Sequence, residues 1–468
     1  MADIKSNKKE NIIMAAWIFA ALLFYCLAGG FSLMIPLLLV FYGCYLAMFR
    51  GVQRKRFLHC GLLLVLLTAS GQAMMEYAHL SAYYIPVASV AMLAMLLFND
   101  FQLAFSMAFM ASALLSLVLG LSLQVCLIMF IGGLAGSYMV RQARTRGKVL
   151  AAGLIAGGIQ AFAFFLEHPY LSREVFYDGI RPLLISGIIS AAVVMVTLKI
   201  FESLFGELTH FSLLELSDAL TQPLLKRLAL EAPGTYHHSL VLSNLAGAAA
   251  DAIGANALLV RVGAYYHDIG KLVKPEYFNE NQMMTDNKHD SLEPSMSRLV
   301  ILNHVKEGVE IANRYKLNPR LIEFIQEHHG TSLIYYFYQK ALTEDDTDSV
   351  LEENYRYPGP KPQTREAAII MLADSVEGAT RALDEHTPVR ISELVRKIIN
   401  NKFIDGQLDA CNLTLREIEA ISGVFARELA AMYHARVKYP HAKKTNGHHG
   451  KPFGGDDHAD APEDHAGR

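Results

Sequence analysis

Between residues 238 and 374 the chain carries an ordered series of imidazole and carboxylate groups: His238, His267-Asp268, His304, His328-His329 and Asp374. Both types ligate divalent transition metals. Singly they say little, because a helical histidine is ordinarily a surface or core residue and His-Asp is a common dipeptide. Jointly they interrupt apolar, helix-patterned stretches in five separate places. Buried charge is tolerated when it is paired or metal-bound. One carboxylate can bridge two ions while the other six groups cap them, three on each side. Two ions about 3.5–4 Å apart would hold a hydroxide and clamp a phosphate for in-line attack, so the series predicts a two-metal hydrolase. Lys271 follows His267 by four residues, one helical turn along, where an ammonium would meet a phosphate oxygen as a point charge. A solvent-facing lysine at a helix end is the plainer alternative.

The elements that must position these groups are helical. Pro233-Gly234 punctuates, Thr235 to Ala252 reads as a helix, and Gly254 closes it. Leu258 to Tyr266 leads into the doublet. Leu299 to Tyr315, Leu321 to His329 and Ala367 to Leu383 read as further helices, the last placing Asp374 after the run Ala368-Ile369-Ile370-Met371-Leu372. No alternating strand pattern carries weight, so the domain over 233–440 is expected to be all-α.

The 468-residue chain is 52% hydrophobic with a mean hydropathy of +0.25, too apolar for an ordinary soluble enzyme. The apolar residues concentrate before about residue 201. That half reads as a polytopic helical bundle with candidate spans at 12–30, 31–49, 57–76, 81–98, 101–119, 121–140, 149–167 and 182–201. Lys5, Lys8 and Lys9 precede the first, Arg50, Arg54, Lys55 and Arg56 follow the second, and Arg141, Arg144, Arg146 and Lys148 follow the sixth. The positive-inside rule puts all three clusters in the cytoplasm. Eight spans satisfy that parity and leave the soluble half there too; seven would not. No cleavage site marks the first run as a signal peptide. Few charges lie inside the spans, so transport is unsupported and an anchor or sensor is expected. The connector, 202–232, has leucines at helical spacing and a break or start at Pro223; it suits either a signal-passing or dimerising helix or packing against the next domain. Cys26, Cys44, Cys60, Cys126 and Cys411 form no disulfide or zinc pattern and read as buried thiols. A net charge of -3 gives no field for nucleic acid polymers. The tail over 441–468, with His441, His448, His449, His458 and His465, lacks apolar residues and is expected to be disordered.

The string Tyr266-His267-Asp268-Ile269-Gly270-Lys271 resembles the HDIG variant of the HD phosphohydrolases. With APGTYHHS (232–239), ENQ (280–282), EHHGT (327–331), YRYPGPKPQTREAAIIMLADSVEG (355–378) and DGQLD (405–409), the chain is similar to the seven-transmembrane-receptor HD family of cyclic di-AMP phosphodiesterases. The resemblance is strong over about 202–440 and architectural over the membrane half. It implies two iron or manganese ions and cleavage of cyclic di-AMP to pApA. By that resemblance Asp268 bridges the ions, His238, His267 and Asp374 complete the first site, and His304, His328 and His329 hold the second. It further implies a bacterial inner (cytoplasmic) membrane, with cyclic di-AMP and membrane lipid as partners, while the connector leaves a homodimer open. Adenine would need aromatic walls, for which Tyr265, Tyr266, Tyr335, Tyr336 and Tyr338 are candidates beside Lys271; core packing competes for most of them.

Two departures stand out. The family usually carries a large extracellular domain after its first span, whereas the first two apolar runs here adjoin. Gly378 stands where alanine is common. Hydrolysis of cyclic di-GMP is the rival reaction, but its HD enzymes carry Gly-Tyr-Pro after the histidine pair, and here Gly330-Thr331-Ser332-Leu333 follows. The non-enzymatic rival is a membrane receptor that binds nucleotide without cutting it; its signature would be a lost metal ligand, and none is lost.

Overall fold

The computed structural model describes residues 34–48, 54–170, 172–282, 287–344 and 350–434. The chain is all-α: among the described residues there is no strand, only an isolated bridge between Leu333 and Arg356. The apolar half comprises α1 (Met34–Met48), α2 (Arg54–Glu76), α3 (Ala88–Phe98), α4 (Phe101–Leu119), α5 (Leu123–Val140), α6 (Arg146–Glu167) and α7 (Arg181–Phe205). Five stretches are long and apolar enough to cross a membrane: Arg56–Glu76, Phe101–Leu119, Leu123–Val140, Arg146–Glu167 and Val175–Phe205. The candidate at 81–98 is shorter, because Pro86 disfavours helical backbone at Ile85 and leaves a 3-10 turn over Ala82–Tyr84 before α3. Every residue of α3 is buried, since it packs against α4, α5 and α7 at once. Loop residues set where these helices start. Asp100 accepts a hydrogen bond from the Leu103 amide and Ser122 one from the Val125 amide. The candidate span 12–30 and the tail 441–468 lie outside the described residues.

The connector is not one helix. α7 runs on to Phe205 and stops at Gly206, whose φ of +69° is costly for other residues. Then come α8 (His210–Ser217) and α9 (Pro223–Glu231), the latter with Pro223 at its first position, where the missing N–H costs nothing. Leu213, Leu224, Leu225 and Leu228 are buried in the core of the soluble half, while Leu220 is exposed. The leucine spacing therefore records packing of the connector onto the next domain.

The soluble half continues with α10 (Pro233–Ala252), α11 (Ala257–Tyr266), α12 (Pro294–Arg314), α13 (Pro319–Glu327), α14 (Tyr335–Glu344), α15 (Arg365–Arg381), α16 (Pro388–Ile404) and α17 (Leu415–His434). Several begin earlier than the apolar period suggests, because proline at the first turn starts α10, α12 and α13. α15 is the axis. Thr364 caps it, Ala368 to Ala373 are wholly buried, and each large aliphatic there contributes about 1.5–3 kcal/mol. Asp374, Glu377 and Arg381 follow on the same rigid rod.

Candidate metal centre

Five elements bring the predicted ligands together. His238 lies in the second turn of α10, and α11 ends at Tyr266 so that His267 and Asp268 fall on the turn after it. A 3-10 turn over Ile269–Val273 then passes against α12, which carries His304. Gly270 permits that approach: a Cβ there would lie 1.8 Å from the His304 carbonyl oxygen and 2.6 Å from the Gly308 nitrogen. His328 caps α13, and His329 precedes Gly330, which has a φ of +54° and no room for a side chain against Gln407. Buried Gln407 accepts from the Thr331 amide and donates to the Thr331 hydroxyl, fixing this turn.

Two clusters of donor atoms result, and Asp268 belongs to both: His238 and His267 on one side, His304, His328 and His329 on the other. Asp268 Oδ2 lies 3.0 Å from His267 Nε2 and 3.9 Å from His238 Nε2. Its Oδ1 lies 3.4 Å from His304 Nε2 and 3.6 Å from His328 Nε2. Asp374 also faces both sides, with Oδ1 3.1 Å from His238 Nε2 and Oδ2 3.8 Å from His329 Nδ1. His267, Asp268, His304 and His328 are almost wholly buried, so Asp374 and His329 form the open side.

The hydrogen bonds of the imidazoles set which nitrogen faces inward. Nδ1 of His267 donates to the Ala264 carbonyl at 2.7 Å, Nδ1 of His304 to Ile301 at 2.5 Å, and Nδ1 of His328 to Ile325 at 2.9 Å. Each Nε2 in a neutral ring then presents a lone pair to the centre. The Nε2 atoms of His304 and His328 face one another at 3.2 Å, with no proton to share in those tautomers. His267 Nε2 and Asp268 Oδ1 are buried without a hydrogen-bond partner. Converging lone pairs and orphaned buried acceptors are unfavourable until a cation takes the space between them. The donor set, nitrogen and carboxylate oxygen without sulfur, therefore fits divalent metal.

The electrostatics agree with that polarity. Burial opposes the Asp268 charge, but His267 and Lys271 outweigh it and hold the carboxyl well below the usual range. Burial also opposes charge on His238, yet hydrogen bonds to Asp374 and Glu377 raise it to about 10. A cation held at its Nε2 would take the place of that proton. Burial pushes His304 down to about 4, and burial beside His328 and His304 pushes His329 down as well.

Several supporting groups escaped sequence reasoning. Glu377 Oε2 accepts from His238 Nδ1 at 2.8 Å, and Arg381 Nη2 holds both Glu377 oxygens at 2.7 Å. Their signal was the spacing of three and seven residues after Asp374 on an otherwise buried helix. Tyr357 stacks on His329 with centroids 4.2 Å apart and supplies an aromatic wall that no local pattern announced.

Other expectations need correction. Lys271 does not continue a helical face, nor does it face solvent. It sits on the 3-10 turn, with Nζ 2.8 Å from Asp268 Oδ2 and 2.6 Å from Glu280 Oε1. Tyr266 is wholly buried in the core and its hydroxyl donates to the Leu216 carbonyl at 2.8 Å, so it is committed to packing, not to a base. Tyr265 packs against the same core, Tyr338 packs in a small cluster with Phe337 and Tyr355, and Tyr335 and Tyr336 are exposed.

Residues 17–209 match the family described as 7TM receptor with intracellular HD hydrolase, and residues 235–379 match the HD domain. The chain is 39% identical over 384 residues to the cyclic-di-AMP phosphodiesterase PgpH of Bacillus subtilis (strain 168), covering 79% of this chain and 53% of that protein. It is 38% identical over 367 residues to PgpH of Listeria monocytogenes serotype 1/2a (strain 10403S), covering 77% and 51%. The chain thus spans about half the length of these curated relatives. A crystal structure of the L. monocytogenes phosphodiesterase PgpH HD domain in complex with cyclic di-AMP is 48% identical, covering 45% of this chain and 98% of that one, with a TM-score of 0.44.

Proposed function

The chain belongs to the seven-transmembrane-receptor HD family, and from that membership and the geometry of the centre we propose a membrane-anchored phosphodiesterase that hydrolyses cyclic di-AMP to pApA. The observation that carries the hydrolytic reading is the convergence of two sets of imidazole lone pairs on the two oxygens of one buried aspartate. Such an arrangement holds two divalent ions, and the absence of thiolate favours manganese or iron over softer metals. When bound, the ions supply Lewis acidity toward a phosphate and the nucleophile that attacks it.

The chain's own groups do the rest. Asp268 lies between the two sites through Oδ1 and Oδ2, and Asp374 offers a second carboxylate to both. His238 and His267 serve the first site; His304, His328 and His329 serve the second. Lys271 is a positioning residue that neutralises Asp268. Two of its three donors are spent on Asp268 and Glu280, leaving one for a phosphate oxygen. Hydrolysis adds water across the bond between phosphorus and the 3′ oxygen, and the departing oxygen takes up a proton. The substrate is assigned from the two PgpH relatives, whose printed names specify cyclic di-AMP. The chain is a multi-pass membrane protein, and its basic loops support the reading of an HD domain in the cytoplasm, at a bacterial inner membrane.

The test is turnover of cyclic di-AMP and cyclic di-GMP, side by side, by the purified full chain with Mn²⁺. We expect pApA from the former, little product from the latter, and a loss of at least about a thousandfold in Asp268→Ala together with its metal. Bound metal without turnover of either would point to another phosphoester substrate, and a chain that binds no metal would favour the receptor reading.

A further inference from the structure

Between Asp100 and Glu167 the chain has no acidic residue, yet Arg141, Arg144, Arg146 and Lys148 crowd the turn between α5 and α6. All four are exposed, and none makes an ion pair or a side-chain hydrogen bond among the described residues. The acids at this end of the bundle are already engaged. Asp100 caps α4, Glu207 pairs with Arg56, Glu215 pairs with Lys199, and buried Glu202 accepts from the Thr209 and Ser212 hydroxyls. The four cations do not share one environment. Arg144 acts on His210 of α8, and Arg146 lines the seam between α6, α7 and α8 beside Glu202 and Glu215. Arg141 and Lys148 instead line a separate cavity of about 320 Å³, with Tyr138, Met139, Gln142 and Ala151. No carboxylate is among these lining residues.

The cavity sits where two membrane-length helices end and begin. Tyr138, 60% exposed, stands edge-on to Phe101 with centroids 6.0 Å apart, as an interfacial aromatic does. Ile131 lies two turns along α5 from Tyr138, and Leu154 and Ile155 one turn along α6 from Ala151; all three are exposed on those same faces. Two cations thus stand at the head of an apolar track. The positive-inside rule accounts for basic loops but asks nothing of where their side chains converge. An arginine fork grips a phosphate through two hydrogen bonds, and a lysine adds a point charge. A soluble phosphate has no use for the track, and a zwitterionic headgroup would bring its ammonium against two cations. We propose that this cavity is a specific site for one anionic phospholipid, its phosphodiester on Arg141 and Lys148 and its acyl chains along Ile131, Leu154 and Ile155. The site is independent of the reaction at the metals.

The full chain in detergent is titrated with phosphatidylglycerol and, separately, with phosphatidylcholine of the same chain length, and bound lipid is counted per chain by native mass spectrometry. At about fivefold for each cation, phosphatidylglycerol should bind on the order of tenfold tighter or more. Arg141→Gln with Lys148→Gln should abolish that preference. Arg144→Gln with Arg146→Gln, which removes the same charge from the same turn, should keep it. On the wild-type chain alone, glycerol phosphate, a headgroup without acyl chains, should fail to displace phosphatidylglycerol. Equal affinity of the wild type for the two lipids, or equal losses in the two double variants, would reduce the site to diffuse charge attraction and overturn it. Displacement by glycerol phosphate at comparable concentration overturns it too, in favour of a soluble phosphate ligand.

Discussion

Glu377 shows how much of the centre depends on a residue that would touch no metal. It holds His238 by Nδ1 and is itself held by Arg381, so the ring orientation is set two residues deep. Outer partners of this kind are worth ten- to a hundredfold in metal affinity. Glu377→Gln keeps the size and loses the charge, so it should weaken the first site by about that factor, measurable by competition with a chelator. Unchanged affinity would show that Asp374 alone orients His238. A second residue makes a separate point about pH. His289 is buried, with Nε2 donating to the Tyr277 carbonyl at 2.8 Å, and burial holds it below its ordinary 6.5. Above 6.5 the ring is neutral folded or unfolded. Below it the unfolded chain takes up a proton that the folded state resists, so stability falls with pH. The stability difference between wild type and His289→Gln should therefore shrink from about pH 7 to about pH 5, and a pH-independent difference would rule the account out.

Elements decide which of these residues meet. The 3-10 turn after Asp268 and helix α12 touch at Gly270, where an added methyl would face backbone atoms that cannot step aside. Gly270→Ala should push α12 away, cost at least about 1–3 kcal/mol, and lower occupancy of the His304–His328 site before that of the His238–His267 site. Thermal unfolding and metal content per chain measure both effects, and two metals at wild-type stability would contradict the close-packing argument. This scale also shows what the sequence reveals and what it hides. The candidate ligands were legible because charge broke an apolar helical period, and α15 was legible because six consecutive buried residues precede Asp374. Tyr357 and Arg381 were not, because their roles come from contacts between elements far apart in the chain, which leave no local period. Tyr266 misled for the same reason: adjacency to the doublet says nothing of which way a ring points, and its hydroxyl turned to α8.

Across the whole molecule, the contacts at the junction constrain how the chain threads the membrane. Arg56, at the start of α2, pairs with Glu207 at 3.0 Å, just beyond the end of α7. Arg144 lies close enough to His210 on α8 to help depress its pKa, after burial, so the loop between α5 and α6 reaches the same face. Asn318, the cap of α13, donates to the Gly206 carbonyl at 3.0 Å, placing the HD domain there too. Between Arg56 and Arg141 run α2, the short span Ala82–Phe98, α4 and α5, and between Arg146 and Glu207 run α6 and α7. The second stretch returns to the side from which it left with two crossings, and the first returns only if the short span crosses. The central position of α3, buried along its whole length, would let it do so with fewer apolar residues than a lipid-facing helix needs. By the positive-inside rule we propose that this shared face is the cytoplasmic one. Single cysteines introduced at Gln53 and Gln142 should therefore resist a membrane-impermeant thiol reagent in intact cells and react after lysis, whereas one at Ser172, in the loop before α7, should react at once. Labelling of Gln142 but not Gln53 in intact cells would mean that the short span fails to cross, and labelling of both with Ser172 protected would invert the molecule.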